Sequence, residues 1–306
     1  MLRKLAFVSW AVALLGAAPI VILDAATPGS TVARIKSTGR ITFGYRGDAR
    51  PFSYTDDSGA PAGYSVVLCQ QIANEAKRDL GMPELKVEWK PVAFEQRFRS
   101  LRLGEIDLMC GADTVTLGRR SEADFSIPIF PGGISALLRS DSSARLRDVL
   151  SGRGQPFHPV WRASATQVLQ SRDFSAVAGT TAETWLGQRL NDLDVRAGVA
   201  LVDTYSGGVQ RVVQRRSDVL FGERAILLDL AKRHGDARDL VVLDRLFTNE
   251  PAALALAADN NDFRLLVDRA LSRLYRSPDL GVLYAKYFGE PDETALTFFR
   301  WNALPE

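Results

Sequence analysis

The sequence predicts a two-lobed α/β protein in which mostly parallel sheets are covered by helices on both faces. Three observations carry that expectation. First, 306 residues with 46% hydrophobic and 24% charged side chains form an ordinary globular composition, long enough for two compact units that each bury a core. Second, from residue 41 onward short apolar runs alternate with amphipathic stretches. Third, 38 basic against 36 acidic residues leave a formal charge of +2. That balance lacks the basic footprint a phosphate backbone requires, so no nucleic-acid partner is expected. Two histidines, His158 and His234, and two cysteines, Cys69 and Cys110, are too few for most metal sites or for Ser-His-Asp chemistry. No metal, cofactor or catalytic residue is expected.

At the N-terminus, Arg3 and Lys4 precede an apolar run over residues 5–23, interrupted only by Ser9, Gly16 and Pro19, and Asp24-Ala25-Ala26 follows. Residues 1–26 therefore read as a signal peptide. The alternative is an uncleaved anchor, since a run of that length nearly spans a hydrocarbon core at about 1.5 Å per residue. Both readings keep the positive end inside and place the rest of the chain beyond the inner membrane, which predicts a periplasmic protein. No cysteine ends the run, so lipid anchoring there is not expected.

Residues 41–45 read as the first strand, and 52–54 with 62–64 flank the turn signal Asp57-Ser58-Gly59 as a hairpin. Residues 65–80 place Val67, Leu68, Ile72, Ala76 and Leu80 largely on one helical face, stopped by Gly81 and Pro83. A strand over 87–89, a helix over 94–103 and a buried strand over 106–109 follow, and segments 117–123, 125–130 and 134–138 continue the series. In the second half, strands are expected over 174–178, 198–202 and 219–221, alternating with helices over 185–193, 207–214 and 225–232. A strand over 252–257 and helices over 263–275 and 280–288 close the chain, while Gly- and Pro-rich residues 151–159 read as a surface loop.

In such sheets a ligand sits beyond the carboxyl ends of strands. Four expected strands are followed by polar segments: Arg46-Gly47-Asp48, Cys110-Gly111-Ala112-Asp113-Thr114, Gly179-Thr180-Thr181 and Gly222-Glu223. Thr180 and Glu183 have capping-box spacing, which marks a helix start that attracts anions, although a cap alone also explains it. Arg119 follows Thr116 in a first turn, where its guanidinium fork suits a carboxylate. With 31 Arg against 7 Lys, a solvated surface charge is the plainer account of any one arginine. Outside the cytosol two cysteines are more often paired than free, and Cys69 with Cys110 would close a loop of about forty residues, worth roughly 3–4 kcal/mol. Two unpaired, buried thiols are the alternative.

Taken in order, Pro51-Phe52-Ser53-Tyr54 with Gly63-Tyr64-Ser65, Gln96-Arg97, Gly104-Glu105-Ile106-Asp107 leading to Cys110-Gly111, Thr114, and Arg119-Arg120 form one set of motifs. Asp124-Phe125-Ser126, Gly179-Thr180-Thr181 and Phe221-Gly222-Glu223 complete it. Their order and spacing resemble the polar amino-acid class of periplasmic solute-binding proteins, the family 3 type of capture subunit of ABC importers. The nearest likeness is to the glutamate/aspartate-binding group, over roughly residues 38–290. The resemblance implies a type II periplasmic-binding-protein fold with a two-strand hinge. One lobe would comprise 38–132 plus 250–306 and the other 133–249, with crossovers near Gly132-Gly133 and Asn249-Glu250-Pro251.

Carried over by position, the resemblance implies that Arg119 holds the ligand α-carboxylate with Thr114 and the backbone at Ala112, while Glu223 takes the α-ammonium. Arg46 and Arg97 would recognise a second carboxylate, unless they pair with neighbours such as Asp48 or Glu95. Thr180 and Thr181 would add hydroxyls and amides from the other lobe. The sequence departs from that group at Glu223, usually Asp, at Phe94, usually a small hydroxyl residue, at Tyr205, usually His, and at Ala112, usually Ser. Residues 141–178 are longer than the family pattern.

The function so implied is capture of an amino acid, glutamate or aspartate, by hinged closure of a monomer, with delivery to membrane ABC permease subunits. Two alternatives use the same scaffold. An exported dehydratase acting on cyclohexadienyl amino acids could use Glu223 as a general acid. A ligand-sensing module would present its closed form to a membrane receptor.

Overall fold

The computed structural model describes residues 30–153, 164–235 and 239–305; the segment 1–26, expected as a signal peptide, lies outside them. Thr31–Thr38 forms α1, capped by Ser30, whose hydroxyl accepts the Ala33 N–H. β1 (Arg40–Tyr45) follows, then a small antiparallel sheet of β2 (Asp48–Ala49), β3 (Ser53–Thr55) and β4 (Pro61–Ala62). α2 (Tyr64–Asp79) buries Tyr64, Leu68, Ile72 and Ala76, a spacing of four that keeps one face against the sheet. Full burial of each large member is worth roughly 1.5–3 kcal/mol. β5 (Lys86–Pro91) leads through a 3₁₀ turn at Phe94–Gln96 into α3 (Arg97–Arg102). β6 (Leu108–Thr114), a second 3₁₀ turn at Arg119–Ser121, β7 (Asp124–Phe125) and β8 (Phe130–Gly132) complete this part.

The chain continues through β9 (Ile134–Arg139), α4 (Ala144–Ser151), α5 (Ser164–Leu169), β10 (Asp173–Val177), α6 (Thr181–Asp192) and β11 (Gly198–Val202). α7 (Tyr205–Val213), β12 (Val219–Glu223), α8 (Arg224–Arg233) and β13 (Leu240–Val242) follow. β14 (Glu250–Leu256), α9 (Asn261–Tyr275), α10 (Asp279–Phe288) and α11 (Glu293–Asn302) end it. Of the long segment 141–178, the helices α4 and α5 and strand β10 are seen; most of the expected 151–159 loop lies outside the described residues.

The larger strands divide between two sheets. The first has the order β5-β1-β6-β14-β7 with β8 on β14, and the second β11-β10-β12-β9-β13. Parallel pairing holds for β5-β1-β6 and β11-β10-β12. The expectation of mostly parallel sheets does not extend further, because β14 and β9 run antiparallel to their neighbours. These two strands enter from the other sheet rather than through a helical crossover, so nothing forces them into the parallel direction.

The chain leaves the first sheet at β8, enters the second at β9 and returns from β13 to β14. The passages touch: Phe247 donates its N–H to the Ile134 carbonyl at 2.8 Å, and a Cβ on Gly133 would lie 2.2 Å from the Thr248 carbonyl oxygen. Only glycine permits that approach. Phe43, Leu68, Ile72, Leu254 and Phe263 anchor the core of the first sheet, and Phe174, Leu138, Leu186 and Phe221 that of the second. Cys69 on α2 and Cys110 on β6 are joined in a disulfide with a Cα–Cα distance of 6.1 Å.

Candidate functional site

The carboxyl ends of four strands converge on one crevice. β1 delivers Arg46, β6 delivers Ala112 and Thr114, β10 leads to Thr180 and Thr181 at the start of α6, and β12 ends in Glu223. With Arg119, Tyr205 and Glu250, these residues line a space of about 60 Å³. A neighbouring space of about 410 Å³ shares Arg119, Thr180, Thr181 and Glu250. Cys110 to Thr114 was expected as a loop after a shorter strand. Instead β6 runs to Thr114, because β14 pairs with it up to Ala252 opposite Thr114. Glu223 likewise closes β12 in register with Ile134 of β9.

Arg119 is half-buried and makes no ion pair among the described residues. Nη1 donates to the Thr114 carbonyl at 2.9 Å and Nη2 donates across the crevice to the Gly179 carbonyl at 3.3 Å. Burial holds its pKa below the ordinary arginine value, opposed by the attraction of Asp113 and Glu250. Neutral carbonyls orient the guanidinium and leave its charge for an incoming anion.

Glu223 is half-buried and lines the crevice. Its Oε2 accepts the Gly133 N–H at 2.9 Å and its Oε1 the Ala225 N–H at 3.4 Å. Burial pushes its carboxyl up to about 7; the two N–H donors work against the shift and nearby Glu250 adds to it. Tyr205, buried beside Gly222, has its phenol pushed up to about 12 by burial first and Glu223 second.

Arg46 lines the crevice with its guanidinium 4.7 Å from the Phe94 ring centroid, and both Nε and Nη2 donate to Asp48 Oδ1 at 2.8 and 2.6 Å. Arg97 does not line it. The guanidinium is buried between Phe94 and Phe98, at 3.8 and 4.1 Å from their centroids. Its Nε donates to Asp113 Oδ1 at 2.6 Å and its Nη1 donates to the Phe94 carbonyl. The expected second-carboxylate role gains no support at Arg97, whose desolvated charge is already answered by a carboxylate of the chain itself.

Thr180 and Glu183 do not form the expected capping box. Thr180 donates its hydroxyl to the Val177 carbonyl at 2.6 Å, and Glu183 accepts the N–H of Gly179 at 2.7 Å. Gly179 turns the chain with φ +72°, and a Cβ there would meet Phe94 Cε1 at 3.3 Å. Thr181 donates its hydroxyl to Glu250 Oε2 at 2.6 Å, so the start of α6 is tied to β14 of the other sheet. The α6 N-terminus still presents its positive end to the crevice.

Sequence reasoning assigned no role to Asp113 or Glu250. Asp113 gains a signal only once β6 is seen to run to Thr114, since a carboxylate in a buried strand needs a cationic partner. Glu250 carried no comparable signal, since its position depends on the return of β14.

The two mixed sheets, the paired passages and the polar crevice define a type II periplasmic-binding-protein fold. The chain belongs to the bacterial extracellular solute-binding proteins, family 3, whose pattern matches residues 41–290. It is 28% identical over 287 residues to the L-glutamate/L-aspartate-binding protein of Pseudomonas aeruginosa, covering 92% of this chain and 86% of that one. It is 26% identical over 256 residues to the L-cystine-binding protein TcyJ of Escherichia coli K12, covering 84% and 85%. Among solved structures, the ancestral amino acid-binding protein AncCDT-1, a precursor of cyclohexadienyl dehydratase, matches with a TM-score of 0.67 at 22% identity over 85% of this chain and 99% of that one. Among the described residues no helix is long and apolar enough to cross a membrane.

Proposed function

We propose that this protein captures an α-amino acid outside the cytoplasmic membrane and delivers it, as a monomer, to ABC permease subunits. One observation carries the reading: Arg119 from the first sheet and Glu223 from the second face a single crevice. A zwitterion needs that split, with its carboxylate on a guanidinium and its ammonium on a carboxylate. Ala112, Thr114, Thr180, Thr181 and Tyr205 surround the pair. The moving units are a lobe of residues 38–132 with 250–306 and a lobe of 133–249, turning about the passages at Gly132-Gly133 and 249–251. Residues 1–26 direct export.

Acidic selectivity draws support from the L-glutamate/L-aspartate-binding relative; Arg46 lines the crevice but is paired with Asp48, so it adds little. Arg97 lends none, because it is engaged by Asp113. The test is calorimetric titration of unfolded and refolded, ligand-free protein with each common L-amino acid, paired with small-angle scattering. Binding of an amino acid with a fall in scattering radius is expected. Silence with all of them, or an unchanged radius at saturation, overturns the reading.

A second reading, a dehydratase on the same fold, is favoured by one feature: burial brings Glu223 to about 7, suited to a general acid at neutral pH. Turnover of a cyclohexadienyl amino acid, lost in Glu223→Gln, would establish it over capture.

A further inference from the structure

Asp113 lies on β6 with 6% of its side chain exposed, lining the crevice beside Arg119 and Tyr205. Its two oxygens differ. Oδ1 accepts from Arg97 Nε at 2.6 Å, whereas Oδ2 is buried with no hydrogen-bond partner among the described residues. Buried acceptors are nearly always paired, so an unpaired oxygen on a residue that lines a ligand crevice marks a position for an incoming donor. Arg97 cannot readily turn away to serve another carboxylate, because Phe94, Phe98 and the Phe94 carbonyl hold it in place.

We infer that Asp113 determines ligand specificity, its Oδ2 accepting a hydrogen bond from a carboxamide in the ligand side chain, so that amide amino acids are preferred over acidic ones. The inference rests on the amino-acid-capture reading and names the side-chain class within it. A carboxamide supplies an N–H to Oδ2. A carboxylate of the same shape supplies none and sets a second negative oxygen beside a desolvated one. With Arg97 answered by Asp113 and Arg46 by Asp48, the two arginines that suggested an acidic ligand are internally neutralised.

The experiment uses the isosteric pairs L-glutamine with L-glutamate and L-asparagine with L-aspartate, titrated calorimetrically into ligand-free protein. In the pair that fits the crevice, the amide is expected to bind about 10- to 100-fold more tightly, the range of a hydrogen bond to a charged group. Tighter binding of the acid overturns the inference and leaves amino-acid capture standing. Silence with all four overturns the carboxamide assignment, and silence with every L-amino acid overturns the capture reading beneath it.

Asp113→Asn supplies the second arm. It keeps an oxygen for Arg97 and turns the free position from acceptor into donor, so the amide-to-acid affinity ratio should fall by at least about tenfold. A folded variant with an unchanged ratio overturns the inference, and the wild-type ratio decides alone if the variant does not fold.

Discussion

Arg97, at the start of α3, is enclosed with Asp113 and stacked between Phe94 and Phe98, whereas the guanidinium of Arg119, on the turn after β6, donates among the described residues to the carbonyls of Thr114 and Gly179. Arg97 is buried and Arg119 half-buried, so each loses hydration, Arg97 the more. The first is compensated by a carboxylate of the chain, so it packs the wall and offers little to a ligand. The second is held by neutral dipoles, which fix its direction without cancelling its charge. A crevice rich in arginine is therefore not automatically selective for acidic ligands; what neutralises each cation decides which remains available.

The sharpest way to break this contrast is Arg97→Ala. It leaves Asp113 buried without its cation, and a stability loss of roughly 3–5 kcal/mol is expected in denaturant titration. A loss confined to binding, with stability unchanged, would put Arg97 in the same class as Arg119.

Glu223 sharpens the comparison from the opposite wall through pH. Its folded pKa, about 7, stands above the ordinary 4.5, so the folded state binds the proton more tightly. Its contribution to stability is full below pH 4.5 and is lost as pH rises through 7, roughly 3 kcal/mol in all. Glu223→Gln should flatten that part of the stability profile. A ligand ammonium favours the ionised form, so binding near pH 7 should release protons, seen as a heat that depends on the buffer. Proton uptake would contradict the assigned role.

Arg119→Ala should lower ligand affinity by at least about 100-fold by calorimetry, from the loss of a charge-assisted fork to the α-carboxylate. Its melting temperature should move less than that of Arg97→Ala, since no buried carboxylate is orphaned. The smallest expected effect belongs to Thr181→Val, which removes the hydroxyl donated to Glu250. About 1 kcal/mol of closure is at stake, read as weaker affinity and a larger ligand-free scattering radius. An unchanged radius would mean that the tie does not hold the two sheets together.

Much of the frame was legible without coordinates. The apolar spacing of Leu68, Ile72 and Ala76 marked α2, and the short runs around Phe43, Phe174 and Leu220 marked strands. The helices α1, α4, α5 and α11 were not assigned. Their apolar faces are short, with only Ala295 and Phe299 buried in α11, so their periodicity is weak until they dock. In the site, the sequence order placed Arg46, Thr114, Thr180 and Glu223 after strands and Arg119 in a turn after Thr116, and those residues do meet in one crevice. That Arg97 pairs with Asp113 was not legible, because the partner lies 16 residues away on another element.

By itself the sequence determined the alternation of strands and helices, the near-balanced charge, and the polar residues that follow the apolar runs. Those are properties of local spacing and composition, which period and burial preference dictate directly. Only the tertiary structure decided that β9 and β14 run antiparallel, that Thr181 meets Glu250, and that Asp113 takes Arg97 while one of its buried oxygens has no hydrogen-bond partner among the described residues. Each of these depends on which distant residues share a desolvated volume. A charge in such a volume pairs with the nearest group three-dimensional packing supplies, and linear order does not specify that group.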